Sequence, residues 1–157
     1  MHHSQLEINF FTEQRIHPMD WIFVRLVRFV PMMMIAQSVT IVAIVEWSLL
    51  QYSRVYHANI RTNLGILRYV LVTPQSHRIH HSPYPQHQDK NFGVVFSIWD
   101  YLFGTQYHGY DEYPDTGIAD TGFPREQSFG WPSTLFTLLR QYAYPFRRVA
   151  RRWSTDS

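Results

Sequence analysis

Five residues constrain this chain more than any others: His77-Arg78-Ile79-His80-His81, with histidines at i, i+3 and i+4. On an α-helix that spacing gathers the imidazoles into an arc of roughly 100° on one face. Neutral imidazole is the commonest metal ligand, and three on one face come close to chelation. The flanking residues ask for a helix too, since Thr73-Pro74 places a capping hydroxyl before a proline at the first helical position. For one or two such histidines a solvated polar patch is the better reading. Three at this spacing favour a metal.

There is no cysteine among the 157 residues, so thiolate metal sites, disulfides and cysteine nucleophiles are all excluded. Any metal is therefore held by nitrogen and oxygen. The formal net charge of +2 is too small for a bulk nucleic-acid footprint, and no nucleic-acid partner is expected. The length suits one domain, residues 1–157, with a core of its own. The start, Met1-His2-His3-Ser4, leads into polar residues and does not read as a signal peptide. Its His-His-Ser repeats His80-His81-Ser82, which places both pairs as candidates for one site.

His17-Pro18-Met19-Asp20 reads as a helix start, with Asp20 complementing the dipole. The following segment, Trp21 to Leu50, carries most of the apolar weight, and Phe29 to Val45 has no charge at all. That run lies at the short end of what spans a bilayer. Pro31 is expected to kink or break it, and Gln37-Ser38 reads as a turn. If both histidine pairs serve one metal site, both ends of the segment lie on one side of a membrane. A helical hairpin over 18–56 meets that condition and a single crossing does not; a buried hairpin in a soluble core is the alternative. Arg25 and Arg28 suit an interfacial flank.

His57 follows as a helix cap, and Leu64 to Val72 is a short apolar stretch that fits either a strand or a helical turn. Val94 to Thr105 reads as a short helix closed by Gly104. Asp89 and Asp100 offer carboxylates to the outer N–H of a ligating imidazole, with Asn91 beside them as a further supporting candidate; surface charge is the plainer reading of either aspartate. His87 and His108 fall on loops and are expected outside the site. Tyr107 to Trp131 looks like an extended surface segment, and Ser133 to Trp153 like a last helix. There Arg140, Arg147, Arg148, Arg151 and Arg152 interleave with Leu138, Leu139, Tyr142, Phe146, Val149 and Trp153, a pattern suited to an anionic membrane surface. No Gly-rich phosphate loop, His-Glu-x-x-His or Gly-x-Ser-x-Gly occurs.

Thr73-Pro74, His77-x-x-His80-His81-Ser82, Asp89-x-Asn91-Phe92-Gly93 and Trp99-Asp100-x-x-Phe103-Gly104-Thr105 together resemble the C-terminal signature of the fatty acid hydroxylase/sterol desaturase superfamily. His57-Ala58-Asn59-Ile60 is similar to the segment before it, and His2-His3-Ser4 with Arg15-x-His17-Pro18 resembles the tail of the middle His-x-x-His-His motif. The resemblance covers roughly residues 2–105. It implies a mostly helical membrane oxygenase whose non-haem di-iron centre uses O₂, and electrons from a donor protein, to hydroxylate or desaturate a lipid. By position, His2, His3, His57, His77, His80 and His81 match the metal ligands.

The expected fold class is then all-α: a membrane-associated hairpin over 18–56, a His-rich metal-binding cap over 57–105 and a loop with a basic interfacial helix over 106–157. The expected location is a membrane, with the histidine cluster on the cytoplasmic side. The family's earlier His-x-x-x-His motif and the first histidine of its middle motif have no counterpart in the sequence. The expectation is therefore the C-terminal part of such an enzyme, and this stretch alone is not expected to be a working oxygenase. A non-catalytic, membrane-associated remnant that binds metal or lipid is the alternative. A zinc hydrolase is disfavoured, because no general-base glutamate stands beside the histidines.

Overall fold

The computed structural model of the protein describes residues 16–120, 122–124 and 131–155. Helix α1 runs Pro18–Ala36. His17 caps it, its Nδ1 accepting from the Met19 N–H at 3.2 Å, and Pro18 takes the first position, where a missing N–H costs nothing. Of the kink or break expected at Pro31, the break does not occur: the helix continues through it. Unbranched Met32, Met33 and Met34 have good helix propensity and carry the ladder past the lost hydrogen bond. It ends where the sequence places the turn. Gln37 takes a left-handed φ of 49° and Ser38 caps α2, Val39–Tyr56.

The two-residue link folds α2 back along α1, where Glu46 meets both arginines. Arg28 donates through Nε to Glu46 Oε1 at 2.7 Å and through a second nitrogen to the other oxygen. Many apolar side chains of this hairpin are exposed. Phe23 is 66% exposed, Met34 73%, Ile35 85% and Trp47 64%. No described residue of α1 is buried, and in α2 only Val42 and Tyr56 are. A helix pair that packs on a soluble core shows the reverse. No helix among the described residues is long and apolar enough to cross a membrane.

After the hairpin come a 3-10 turn at Gly65–Tyr69, helix α3 at Pro74–His80 and the short helix α4 at Ile98–Phe103. Strands are absent among the described residues; one antiparallel bridge, Leu71 to Phe96, joins the segments before α3 and α4. A reciprocal capping box opens α3, with Thr73 Oγ1 accepting from Ser76 N–H at 3.1 Å and Ser76 Oγ from Thr73 N–H at 2.9 Å. Gly104, at φ 72°, closes α4 as expected.

Residues 106–117 are irregular and mostly exposed or half-buried, as their composition suggests. They lie along α3 as a strap. Gln75 Nε2 donates to the Tyr110 and Glu112 carbonyls at 2.6 and 2.7 Å, and Arg78 Nε to the Pro114 carbonyl at 2.6 Å. The Gly117 N–H closes on the His81 carbonyl at 2.9 Å.

The sequence reads as one domain, whereas the chain separates into two compact units, one up to Ala119 and one from Asp120 onward. The second contains helix α5, Trp131–Thr155. Within it, the Tyr144 hydroxyl donates to Asp120 at 2.7 Å, and Arg148 pairs with the same carboxylate. Leu135, Phe136, Leu139, Phe146 and Val149 remain exposed along α5.

Candidate metal centre

The site begins where α2 ends. His57 is its C-cap residue, 3% exposed, and it faces His77 and His81 of α3, which are 8% and 2% exposed. The three Nε2 atoms converge: His77 to His57 at 2.9 Å and His81 to His77 at 3.0 Å. All three ligand atoms lie within 4.8 Å of one another.

Main chain fixes the tautomer of His57. His57 Nδ1 lies 2.9 Å from the Ser53 carbonyl, an oxygen that can only accept, so Nδ1 carries the hydrogen and Nε2 presents a lone pair. Desolvation lowers the His57 pKa to about 4, outweighing the carbonyl bond that raises it. The ring is therefore neutral at pH 7, the form a metal requires. The spacing fits as well. With bonds of about 2.1 Å, adjacent nitrogens on an octahedral ion stand about 3.0 Å apart, against about 3.4 Å on a tetrahedral one. Tyr56 packs its ring against His57 and His77, with centroids 4.8 and 4.4 Å away, and covers one side of the cluster. Three buried imidazoles that converge in this way can hold a metal ion.

His80 is placed differently. Its ring centroid is 5.6 Å from that of His77 and 5.5 Å from that of His81, and it is not one of the three converging ligands. Its Nδ1 lies 2.9 Å from the Lys90 carbonyl, which fixes the same tautomer as in His57. It lines a recess of about 450 Å³ together with Ser82, Gln88, Asp89, Phe92 and Ile118. His2 and His3 lie outside the described residues.

The supporting candidates have other work. The Asp100 carboxylate, 2% exposed, accepts from Phe92 N–H at 2.7 Å, Gly93 N–H at 2.8 Å and Thr105 Oγ1 at 2.6 Å, and not from an imidazole. Asp89 is exposed on a left-handed residue, φ 56°. Asn91 donates to the Ser76 carbonyl and accepts from the Tyr107 N–H, both at 2.9 Å, tying α3 to the strap. The outer nitrogens of His57 and His80 find main-chain carbonyls instead, and no motif reveals such partners. Sequence reasoning also left out His87. It is 1% exposed, with Nδ1 2.8 Å from Ser82 Oγ and Nε2 3.0 Å from Glu112 Oε2. The Tyr107 hydroxyl, and then His87, hold the Glu112 carboxyl below its ordinary range.

With the geometry in place, comparison with known proteins is direct. The fatty acid hydroxylase family model matches residues 1–105, two-thirds of the chain and all of the histidine cluster. The chain belongs to the fatty acid hydroxylase family. It is 42% identical to human alkylglycerol monooxygenase over 60 residues, 36% of this chain and 14% of that protein. To the Danio rerio alkylglycerol monooxygenase it is 31% identical over 109 residues, 67% of this chain and 23% of that one. An ornithine lipid hydroxylase of Rhizobium tropici is 25% identical over 152 residues, 97% of this chain and 43% of that protein. The chain thus spans less than half the length of each of these relatives. No solved structure matches it. Within the fatty acid hydroxylase match fall His57, His77, His80, His81 and Asp100, while Glu112 and the rest of the strap lie beyond its last residue.

Proposed function

We propose that this chain forms part of the metal centre of an O₂-dependent lipid hydroxylase. The observation that carries the reading is the convergence of three buried Nε2 atoms at 2.9 and 3.0 Å, in a chain of the fatty acid hydroxylase family. The metal is non-haem iron, and this chain's share of the ligands is His2, His3, His57, His77, His80 and His81, toward two ions. When bound, iron supplies O₂ activation with electrons from a donor protein. The chain's own part is to orient the His57 and His80 rings through the Ser53 and Lys90 carbonyls, so that Nε2 faces the metal, and to exclude water with Tyr56. The relatives' names, an alkylglycerol monooxygenase and an ornithine lipid hydroxylase, support hydroxylation of a lipid with a polar head.

The test is metal analysis of the purified protein, followed by ¹⁸O₂ labelling with a two-electron reductant supplied and an alkylglycerol and an ornithine lipid offered as substrates. Bound iron and one ¹⁸O per product are the expected results. Zinc or no metal in the purified protein would overturn the reading.

The same proposal places the hairpin of α1 and α2 and the apolar side of α5 against lipid, with the histidine cluster on the cytoplasmic side. The outward Phe23, Met34, Ile35 and Trp47 support it. Salt screens charge but leaves apolar burial intact, so a high-salt wash is expected to leave the protein in the membrane pellet. Carbonate is expected to leave it there as well. Recovery of most of the chain in either supernatant would count against this placement.

A further inference from the structure

We propose that Glu112, acting through His87 and Ser82, is a positioning residue for the metal ligand His81. The inference rests on the metal-centre reading above and extends it to a segment that the family match does not reach. A line of hydrogen bonds carries it. Glu112 Oε2 accepts from His87 Nε2–H at 3.0 Å, which leaves Nδ1 of that buried ring as an acceptor. Nδ1 then takes the Ser82 hydroxyl at 2.8 Å, and Ser82 is the residue after His81. The strap holds the same turn a second time through Gly117 N–H on the His81 carbonyl, at 2.9 Å. The other Glu112 oxygen accepts from Tyr107 Oη at 2.7 Å, so the carboxylate is oriented from both sides. Ser82 and His87 are 7% and 1% exposed, and a buried imidazole bonded through both nitrogens has one orientation available. His81 has no room to drift while this line is intact.

The test uses the full chain and cobalt(II) alone as the probe. Residues that orient a ligand typically contribute about 10–100-fold to metal affinity. Glu112→Ala and His87→Ala are each expected to weaken cobalt binding by about tenfold and to shift the visible absorption bands of the bound ion. Glu112→Gln, whose amide oxygen still accepts from His87, is expected to bind close to the parent. Because the residues act in series, the double variant Glu112→Ala/His87→Ala should lose no more than either single one. Parent-like affinity and bands in both alanine variants would overturn the proposal. So would a lowered melting temperature with unmoved bands, or losses that add in the double variant. Failure of the parent itself to bind cobalt would overturn the metal centre as well, so the two failures are distinguishable.

Discussion

Replacing His77 by alanine is expected to strip the three-histidine site of its metal. His77 is the middle member of the cluster, its Nε2 2.9 Å from that of His57 and 3.0 Å from that of His81. Without it, ligands from α2 and α3 no longer share a neighbour, and the site is left with two imidazoles. Because merely orienting groups contribute about 10–100-fold, loss of a ligand itself should weaken binding by at least about a hundredfold. His57→Ala and His81→Ala should behave alike. His80→Ala should lower total metal while leaving the three-histidine site loaded, since His80 is not among the converging ligands. His108, exposed and bonded to the Tyr110 hydroxyl, is the control that should change nothing. The measurement is metal per chain by mass spectrometry after dialysis. A His77→Ala chain that retains the parent's metal would sink the assignment.

Asp100→Ala is expected to give the largest loss of stability of any single change near the site. The carboxylate gathers two main-chain N–H groups and a hydroxyl from both sides of α4, at 2.7, 2.8 and 2.6 Å. Hydrogen bonds to a charged group are each worth about 1.5–3 kcal/mol, and the orphaned donors add a penalty of their own. A loss of about 4 kcal/mol is expected, which in a domain of this size lowers Tm by about 10 °C. Asp100→Asn keeps one good acceptor but turns an amide N–H toward a donor, so about half that loss should remain. Thermal unfolding followed by circular dichroism decides it. An Asp100→Ala melting temperature within a degree or two of the parent would show the carboxylate to be dispensable.

How much was legible in the sequence depended on whether the signal was a side chain or the main chain. Thr73-Pro74, Gln37-Ser38 and Gly104 mark boundaries through their own chemistry, and the structure ends or begins helices at each. The i, i+4 pair His77 and His81 is likewise a side-chain signal, and its rings do meet. His80 was harder, because spacing gives the face of a helix and not the carbonyl that turns the ring. Any residue supplies a carbonyl, so the Ser53 and Lys90 partners leave no trace in composition. The course of the strap was hidden for the same reason. Its Gly, Pro and Asp correctly signal irregular backbone, but its course along α3 is set by the Tyr110, Glu112 and Pro114 carbonyls. Asp100 stood as a candidate partner for an imidazole, beside the reading as surface charge, because a carboxylate near histidines invites that role. Its donors, Phe92 and Gly93, precede it by eight and seven residues, and only the folded loop brings them back. At Gly93 a Cβ would stand 2.7 Å from the Phe96 carbonyl and 2.8 Å from Asp100, so the glycine belongs to that loop's closure.

Because His57 caps α2, one metal ligand is mounted on the end of an arm. The helix has 18 residues, so at 1.5 Å per residue it is about 27 Å long. A rocking of one degree about its far end moves His57 by about 0.5 Å, roughly the tolerance within which a ligand set works. The hairpin must therefore be stiff as well as apolar, and the clamp of Arg25 and Arg28 on Glu46 braces it partway along its length. Whatever surrounds the hairpin, by tilting it, is geared to the distance between His57 and the two histidines of α3.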